Sequence, residues 1–232
     1  MRTDAQVAAV ELSGVRFGWR GASSPLLAIS SIRIERGEKV FLAGPSGSGK
    51  STLLGLMSGV LLPQAGSVRV LGQAWESMSA SQRDRYRADH LGVIFQMFNL
   101  VPYLSVLENV LLPLKFSKLR LGRLAQPERE ARELLGRLGI GAEMLGRPAG
   151  ELSVGEQQRT AAVRALLGQP EVVIADEPTS ALDADNRDAF LELLLAEVGR
   201  TGAALVFVSH DRSLASRFDR VVELADLRAE VQ

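Results

Sequence analysis

One glycine-rich segment constrains the fold of this chain more than any other feature, and its sequence is Gly44-Pro45-Ser46-Gly47-Ser48-Gly49-Lys50-Ser51-Thr52. A short apolar run at residues 40–43 precedes it and is typical of a buried strand, whereas residues 50–57 favour a helix. Glycine lets main-chain N–H groups approach an anion closely, and the N-terminus of a helix attracts the same anion. A strand, a glycine-rich loop and a helix in this order therefore predict a phosphate loop in an α/β fold.

The side chains of this loop suit a nucleotide with a bound metal ion. Lys50 can reach the terminal phosphates as a point charge, and the Ser51 hydroxyl can coordinate Mg²⁺. We therefore predict that the chain binds ATP or GTP. The alternative for this motif taken alone is an ordinary loop rich in glycine and serine. The predicted nucleotide-binding residues of the loop are Gly44, Pro45, Ser46, Gly47, Ser48, Gly49, Lys50, Ser51 and Thr52.

Composition bounds the possible partners and the compartment. The 232 residues contain 27 Lys and Arg against 27 Asp and Glu, so no global field attracts nucleic acid or anionic lipid. The absence of cysteine excludes disulfides and thiolate metal sites and suits a reducing compartment. A run of cations is expected to form a solvated face rather than a nucleic-acid site. Its members are Lys115, Lys118, Arg120 and Arg123.

Membrane spans and targeting segments are not predicted. The longest apolar stretches, at residues 106–114 and 191–196, are interrupted by polar residues and are too short to span a bilayer. Residues 1–10 lack the basic region and apolar stretch of a signal peptide. We expect a cytoplasmic location, so that any role at a membrane depends on a partner.

Strands and helices alternate along most of the chain. Residues 7–40 alternate apolar and polar positions and predict antiparallel strands that lead into the phosphate loop. Later strands are predicted at residues 67–71, 91–95, 172–175, 204–208 and 221–224, and a helix at residues 185–198. This order predicts a parallel sheet, in which ligands bind at the carboxyl ends of the strands. The residues predicted at those ends are Gly44, Gln96, Asp176 and His210.

The middle of the chain has a helical pattern from residue 104 to residue 168. Apolar residues repeat at helical spacing on two faces. One face contains Val106, Val110, Leu111 and Leu114, and the other contains Leu134, Leu135 and Leu138. We therefore predict a single domain, 1–232, in which 1–96 and 169–232 form the α/β core and 97–168 form a helical subdomain.

Two further motifs carry chemistry. Asp176 and Glu177 follow a buried strand, where an aspartate can hold Mg²⁺ and a glutamate can orient the attacking water. Alone, such an acidic pair is usually a solvated turn. Ser153 and Glu156 have the spacing of a capping box and open a helix. A helix N-terminus with a serine hydroxyl and the Gly155 N–H can also bind phosphate. Because the phosphate loop with Lys50 already binds the nucleotide of its own chain, the phosphate at this helix would belong to a nucleotide held by another copy.

Taken together and in order, these motifs resemble the full set of ATP-binding cassette ATPases, over nearly the whole chain. They are residues 44–52, Gln96, Leu152-Ser153-Val154-Gly155-Glu156-Gln157-Gln158-Arg159, residues 172–177, Ser180-Ala181-Leu182-Asp183 and His210. The resemblance implies a phosphate-loop ATPase fold of this type, with a parallel-sheet core, an antiparallel β subdomain and a helical subdomain. It also implies ATP and Mg²⁺ as ligands and a head-to-tail dimer with two ATP molecules between the copies.

The resemblance assigns roles to individual residues. Trp19 stacks on adenine, with Phe17 as the alternative and a plain core role open for either. Gln96 contacts Mg²⁺ or the water and reports on the transmembrane partner, and His210 holds the γ-phosphate. The residues that face the nucleotide of the opposite copy are Ser153, Gly155 and Glu156, and Asp183 forms part of the subunit contact that orders that nucleotide site. The implied catalytic residues are Glu177, His210, Lys50 and Gln96, and the implied metal ligands are Ser51, Gln96 and Asp176.

Residues 95–102 and 108–114 are similar to those of a narrower group, the lipoprotein-release, macrolide-export and cell-division cassettes. Its members work with an integral-membrane permease at the inner face of the cell membrane. The chain departs from that group at residues 180–183, and it has Val154 where the family usually has glycine. Either position 154 has an ordinary helical or extended backbone, or the site is degenerate and slow, since a β-branched residue strains a left-handed backbone.

Two other functions stay open at this level. One is a cassette ATPase that acts on DNA or ribosomes, and the other is a regulatory or scaffolding cassette with low turnover. The chain has neither a long coiled-coil insertion nor a second cassette, and both absences argue against the first alternative. We expect a permease partner and no nucleic acid.

Overall fold

The computed structural model describes residues 7–19, 26–45 and 47–227. The strands of these residues are β1 (Val10–Phe17), β2 (Leu27–Ile34), β3 (Lys39–Ala43), β4 (Ala65–Val70), β5 (Gln73–Ala74), β6 (Leu91–Ile94), β7 (Val172–Asp176), β8 (Ala204–Val208) and β9 (Arg220–Glu223). The helices are α1 (Lys50–Met57), α2 (Ala80–His90), α3 (Val106–Leu111), α4 (Lys118–Gly122), α5 (Pro127–Arg137), α6 (Val154–Leu166) and α7 (Ala184–Thr201). Short 3-10 turns lie at Trp75–Ser77, Leu112–Lys115, Ala142–Met144, Ala149–Glu151 and Arg212–Arg217.

The chain divides into two compact units. The first contains the residues up to Asp84 and those from Ala204 onward, and the second is Arg85–Ala203. The helices between residues 97 and 168 lie in the second unit, together with β6, β7 and α7. The boundaries predicted for a separate helical subdomain at 97–168 stay a prediction.

An antiparallel sheet with the strand order β2-β1-β4-β5 lies in the first unit. Val10 pairs with Ile34 on one side and with Val70 on the other, which confirms the antiparallel strands predicted before the phosphate loop. Gly66 has a φ of 82°, and a Cβ there would overlap the Gly14 carbonyl oxygen. Glycine is therefore required where β4 crosses the irregular part of β1.

The first unit also contains parallel strands, in which β3 pairs with β8 and with β9. Phe41 of β3 lies opposite Phe207 and Val221. Phe41 and Phe207 are fully buried, as expected for parallel strands covered on both faces. Because β3 and β8 are parallel neighbours, the segments that follow them emerge at the same edge.

The second unit contains the parallel pair β6 and β7, in which Ile94 lies opposite Ala175. Helices α3, α5 and α7 pack on α6. A Cβ at Gly92 would overlap the Ala165 carbonyl oxygen, so only glycine lets α6 approach β6 this closely. The parallel core, the antiparallel sheet and the helices together confirm the predicted α/β class.

The two predicted apolar faces are mostly buried, but on the first face one predicted residue is not fully buried and a different residue is. Leu111 is only half-buried, and Asn109 is fully buried beside Val110 instead. On the second face the predicted residues Leu134, Leu135 and Leu138 are all buried.

The run of cations predicted to be a solvated face is partly wrong. Arg120 is only 2% exposed, and its guanidinium donates to the carbonyl oxygens of Leu167 and Ala165. Burial lowers the pKa of Arg120 to about 10. Backbone carbonyls in the last turn and at the C-cap of α6 compensate the charge, which no local sequence pattern could reveal.

Candidate functional site

The phosphate loop joins β3 to α1, as predicted. Gly47 and Gly49 have φ values of 75° and 98°, in the left-handed region that favours glycine. A Cβ at Gly49 would also lie 2.8 Å from Leu27 Cδ2. No side chain in the described part of the chain caps α1 at Gly49. The N-terminus of α1 therefore presents backbone N–H groups to an anion.

Lys50 is the first residue of α1, and its side chain folds back into the loop. It is 6% exposed, and Nζ donates to the carbonyl oxygens of Gly44 at 2.8 Å and Pro45 at 3.0 Å. The cation is therefore held inside the loop, where it can meet phosphate oxygens. Ser51 is exposed next to it and Thr52 is buried, whereas Ser46 lies outside the described residues.

His210 reaches the phosphate-loop edge of the first unit through β8. Leu42 pairs with Val208, and the Ser209 N–H donates to the Leu42 carbonyl oxygen at 3.4 Å. His210 follows Ser209 and is exposed. The pairing of β3 with β8 thus brings His210 and the phosphate loop to one edge.

The two aromatic candidates for adenine differ in exposure. Trp19 is 56% exposed, whereas Phe17 at the end of β1 is 7% exposed. Their rings meet edge to face, with centroids 5.2 Å apart. Phe17 thus serves the core and supports Trp19, whose surface is accessible to a ligand.

The acidic pair lies at the carboxyl end of β7 in the second unit. Asp176 is the last residue of the strand, and Glu177 has a φ of 43° directly before Pro178. A left-handed backbone at a glutamate is strained, and such strain concentrates at functional sites. Because β6 is the parallel neighbour of β7, the exposed Gln96 emerges at the same edge.

The donors predicted for a metal ion suit Mg²⁺. The described residues contain no cluster of three or more His, Cys, Asp and Glu side chains that could hold a metal. Mg²⁺ usually keeps water and phosphate ligands and takes only one or two protein groups, so a single carboxylate such as that of Asp176 at the end of β7 fits it.

Ser153 caps α6 in the predicted capping box. The Ser153 N–H donates to Glu156 Oε2 at 2.8 Å, and the Glu156 N–H donates to Ser153 Oγ at 3.4 Å. The backbone N–H and then the hydroxyl of Ser153 hold the pKa of Glu156 below its usual value. A Cβ added at Gly155 would lie 3.4 Å from Arg159 Nη1, an ordinary contact, so the backbone there is open to approach.

Val154 is the first residue of α6 and is 46% exposed. It is not among the described non-glycine residues with positive φ. The hypothesis that position 154 has an ordinary backbone is therefore confirmed, and valine causes no left-handed strain there.

Asp183 caps α7 with its side chain. Its carboxylate accepts from the Asn186 N–H at 2.9 Å and from Asn186 Nδ2 at 2.8 Å. These bonds, the backbone one first, lower the pKa of Asp183, which stays ionised at neutral pH. The exposed carboxylate lies at a helix N-terminus of the second unit.

Asn109 is a structural residue near the site that sequence reasoning did not assign. It is fully buried; Oδ1 accepts from the Val101 N–H at 2.8 Å, and Nδ2 donates to the Val101 and Leu104 carbonyl oxygens at 3.0 and 3.1 Å. These bonds fix the far end of the segment that begins at Gln96. The available signal was an amide side chain on the apolar face of α3.

Comparison with known proteins gives a consistent result. The family model described as "ABC transporter" matches residues 27–180. An "Uncharacterized ABC transporter ATP-binding protein YbbA" of Escherichia coli (strain K12) is 42% identical over 193 residues, covering 83% of each chain. A "Lipoprotein-releasing system ATP-binding protein LolD" of Maricaulis maris (strain MCS10) is 41% identical over 202 residues, covering 87% of this chain and 86% of the relative.

A solved structure is similar over nearly the full length. It is titled "Dimeric structure of a post-hydrolysis state of the ATP-binding cassette MJ0796 bound to ADP and Pi", and it covers 96% of this chain and 97% of its own at 33% identity, with a TM-score of 0.85. The fold of the chain is therefore that of a solved cassette, and the predicted resemblance to the lipoprotein-release group is confirmed.

Proposed function

The chain belongs to the ABC transporter family, and on this basis we propose that it is the ATP-hydrolysing subunit of a membrane transporter. The observation that carries the proposal is the phosphate loop, where Lys50 Nζ lies within 2.8 Å of the Gly44 carbonyl oxygen at the uncapped start of α1. A desolvated cation and backbone N–H groups at one place form a site for the triphosphate of ATP.

Hydrolysis would proceed by positioning and charge stabilisation. Glu177 orients a water molecule and accepts its proton as the water oxygen bonds to the γ-phosphorus and the bond to the bridging oxygen of ADP breaks. Lys50 and His210 bind the oxygens on which negative charge accumulates. Trp19 would stack on adenine.

Ser51, Gln96 and Asp176 are the residues that would hold Mg²⁺. When bound, the ion neutralises charge on the β- and γ-phosphates. Gln96 would also report on the transmembrane partner, because it lies in the exposed stretch 95–97.

The second phosphate-binding group would come from another copy of the chain. Ser153 and Gly155 at the N-terminus of α6 supply a hydroxyl and a backbone N–H, and the α6 dipole favours an anion there. The solved cassette MJ0796 is titled as a dimer with ADP and Pi, which supports a head-to-tail ATP dimer here. Asp183, which caps α7, and Glu156 would complete the contact between the two copies.

A permease would be the membrane partner. No described helix is long and apolar enough to cross a bilayer. The relatives named as transporter subunits support a place on the inner face of the cell membrane, reached by binding an integral-membrane protein.

The test is Glu177→Gln. We expect this variant to bind ATP and to elute as a dimer only with ATP, whereas its hydrolysis rate falls about a hundredfold or more. Glu192→Gln makes the same change at an exposed position of α7 and should leave turnover unchanged. Unchanged turnover in Glu177→Gln would remove that residue from its role. ATP-dependent dimers of a natural chain with hardly any turnover would favour a scaffolding cassette, and salt-sensitive binding to DNA or RNA would favour the nucleic-acid alternative.

A further inference from the structure

The segment after Gln96 has a strained backbone. Phe98 and Asn99 are consecutive and have φ values of 58° and 52°, both in the left-handed region. Asparagine tolerates this region, but a bulky residue such as phenylalanine is an outlier there. Such a turn persists only where its surroundings hold it, so the contacts that hold it control where the chain leaves Gln96.

A single side chain holds both strained residues. Arg164 Nη2 donates to the Phe98 carbonyl oxygen at 2.6 Å, and Nη1 donates to the Asn99 carbonyl oxygen at 2.7 Å. The Phe98 ring is 8% exposed, so the turn is anchored on both its polar and its apolar side. Burial lowers the pKa of Arg164, and its guanidinium donates to the carbonyl oxygens of Phe98 and Asn99. The two carbonyl oxygens are therefore its main compensation.

Arg164 lies in the last turn of the helix that Ser153 opens. The 13 residues of α6 form one continuous helix that extends over about 20 Å. One end of α6 thus carries the phosphate-binding groups proposed above, and Arg164 at the other end is hydrogen-bonded to the segment that begins at Gln96.

We infer that Arg164 is a positioning residue that couples the Gln96 segment to the phosphate-binding end of α6. A displacement of Gln96 moves the turn at Phe98 and Asn99, and the Arg164 guanidinium transfers this displacement to α6. Ser153 at the other end of α6 then moves with the helix. This inference rests on the proposed function, because it needs Gln96 and Ser153 to act on ATP. Without Arg164 the strained turn relaxes, and the Gln96 segment and the Ser153 end of α6 move independently of each other.

Two substitutions of Arg164 and one control separate coupling from folding. Arg164→Met keeps the length of the side chain and removes all donors, whereas Arg164→Lys keeps the charge and one donor group. Arg123→Met is the control, because Arg123 also donates to two consecutive carbonyl oxygens, those of Gly168 and Gln169, and does not touch the Gln96 segment. We expect kcat to fall about tenfold in Arg164→Met with KM for ATP within about twofold, and Arg164→Lys to recover part of it. In Arg123→Met the folded fraction should keep kcat within about threefold.

A double-mutant cycle gives the decisive readout. Gln96→Ala is combined with Arg164→Met in the Glu177→Gln chain, and the ATP concentration that gives half-maximal dimer is measured. The Glu177→Gln parent must first dimerise with ATP, and its failure would contradict the proposed function itself.

If the parent dimerises, the effect of Gln96→Ala should depend on the residue at position 164. We expect Gln96→Ala to raise the half-maximal ATP concentration at least about fivefold when Arg164 is present, and by a factor at least about twofold smaller in the chain that also carries Arg164→Met, where only the direct contact of Gln96 is lost. An equal effect in both backgrounds, or an equal loss of kcat in Arg123→Met, would overturn the coupling role of Arg164.

Discussion

Val154 tests whether the start of α6 can bind phosphate without the glycine that the family usually has at this position. Family resemblance favours glycine at this position, but the backbone begins a regular helix there, and no left-handed φ requires glycine. The capping bonds between Ser153 and Glu156 are intact next to it. A half-exposed valine in this place is therefore compatible with a working phosphate-binding end.

Replacing this valine tests the point directly. We expect Val154→Gly to change the ATPase rate by less than about threefold, because neither the hydroxyl of Ser153 nor the N–H of Gly155 depends on the side chain. The glycine variant should unfold slightly more easily, by about 0.5–1 kcal/mol relative to Val154→Ala, since glycine loses more backbone entropy in a helix. Steady-state ATPase assays and urea unfolding of the three chains check both expectations. A large gain of activity in the glycine variant would mean that valine makes the natural site slow.

Glu171 offers a test of stability against pH. It accepts from His90 Nδ1 at 3.1 Å and forms an ion pair with Arg123. Burial raises the pKa of Glu171, but the hydrogen bonds from His90 and Arg123 outweigh burial and lower it to about 2. The folded-state pKa is thus below the ordinary 4.5, so the stabilisation is complete above that pH and disappears as the pH falls towards about 2.

The variant Glu171→Gln should show this window. Near neutral pH we expect it to lose about 1–2 kcal/mol of unfolding free energy, because Arg123 is left without its carboxylate. The difference from the natural chain should shrink as the pH falls below 4.5. Urea unfolding at several pH values measures it, with Glu192→Gln as the exposed control. A constant difference down to about pH 3 would contradict the assigned pKa.

Two helices of the second unit begin with the same motif. Ser105 and Glu108 form a capping box on α3, and Ser153 and Glu156 form one on α6. The bonds from the cap N–H to the glutamate are 2.8 Å in both. The second unit thus contains two matching helix caps, and only the cap of α6 belongs to the proposed ATP site.

Serine-to-alanine substitutions at the two caps should separate capping from phosphate binding. Ser105→Ala and Ser153→Ala should each lose about 1 kcal/mol of unfolding free energy. Only Ser153→Ala should reduce ATPase activity, by about tenfold, because its hydroxyl is proposed to bind phosphate. Thermal unfolding and ATPase assays on both variants measure the two effects. Equal activities would leave Ser153 with a structural role alone.

Elements with an unbroken local pattern were predictable, and contacts between distant segments were not. Helix α1 and strand β8 have the predicted ends, because an apolar strand and a glycine-rich loop are local signals. Helix α7 extends beyond the predicted 185–198 to Ala184–Thr201, and its cap at Asp183 was assigned only to the subunit contact. Arg120 and Arg164 are held by carbonyl oxygens more than forty residues away in sequence, so nothing near them in the chain indicates their burial.

In the proposed dimer each chain would carry two incomplete halves of an ATP site. Lys50 lies in one unit and Ser153 in the other, and a head-to-tail dimer would join the Lys50 half of one copy to the Ser153 half of its partner. The symmetry of such a dimer has a consequence for mixtures of variants. Two copies with different defects can form one intact site, although neither variant forms any with itself.

Mixing Lys50→Met with Ser153→Arg tests this arrangement. Each variant alone should have almost no ATPase activity, since every site lacks either the cation or the opposing helix N-terminus. In an equal mixture about half of the dimers are mixed and each has one intact site of two, so about a quarter of the natural activity should return if the sites act independently. ATP-dependent pairing of differently tagged copies, measured in the same mixture, shows that mixed dimers form even if the two sites hydrolyse only together. Lys50→Met mixed with the Lys50→Met, Ser153→Arg double variant is the control, because none of its dimers has an intact site. If the mixture regains no more ATPase activity and no more ATP-dependent pairing than the control, the two halves do not meet across the dimer, and Ser153 must act within its own chain.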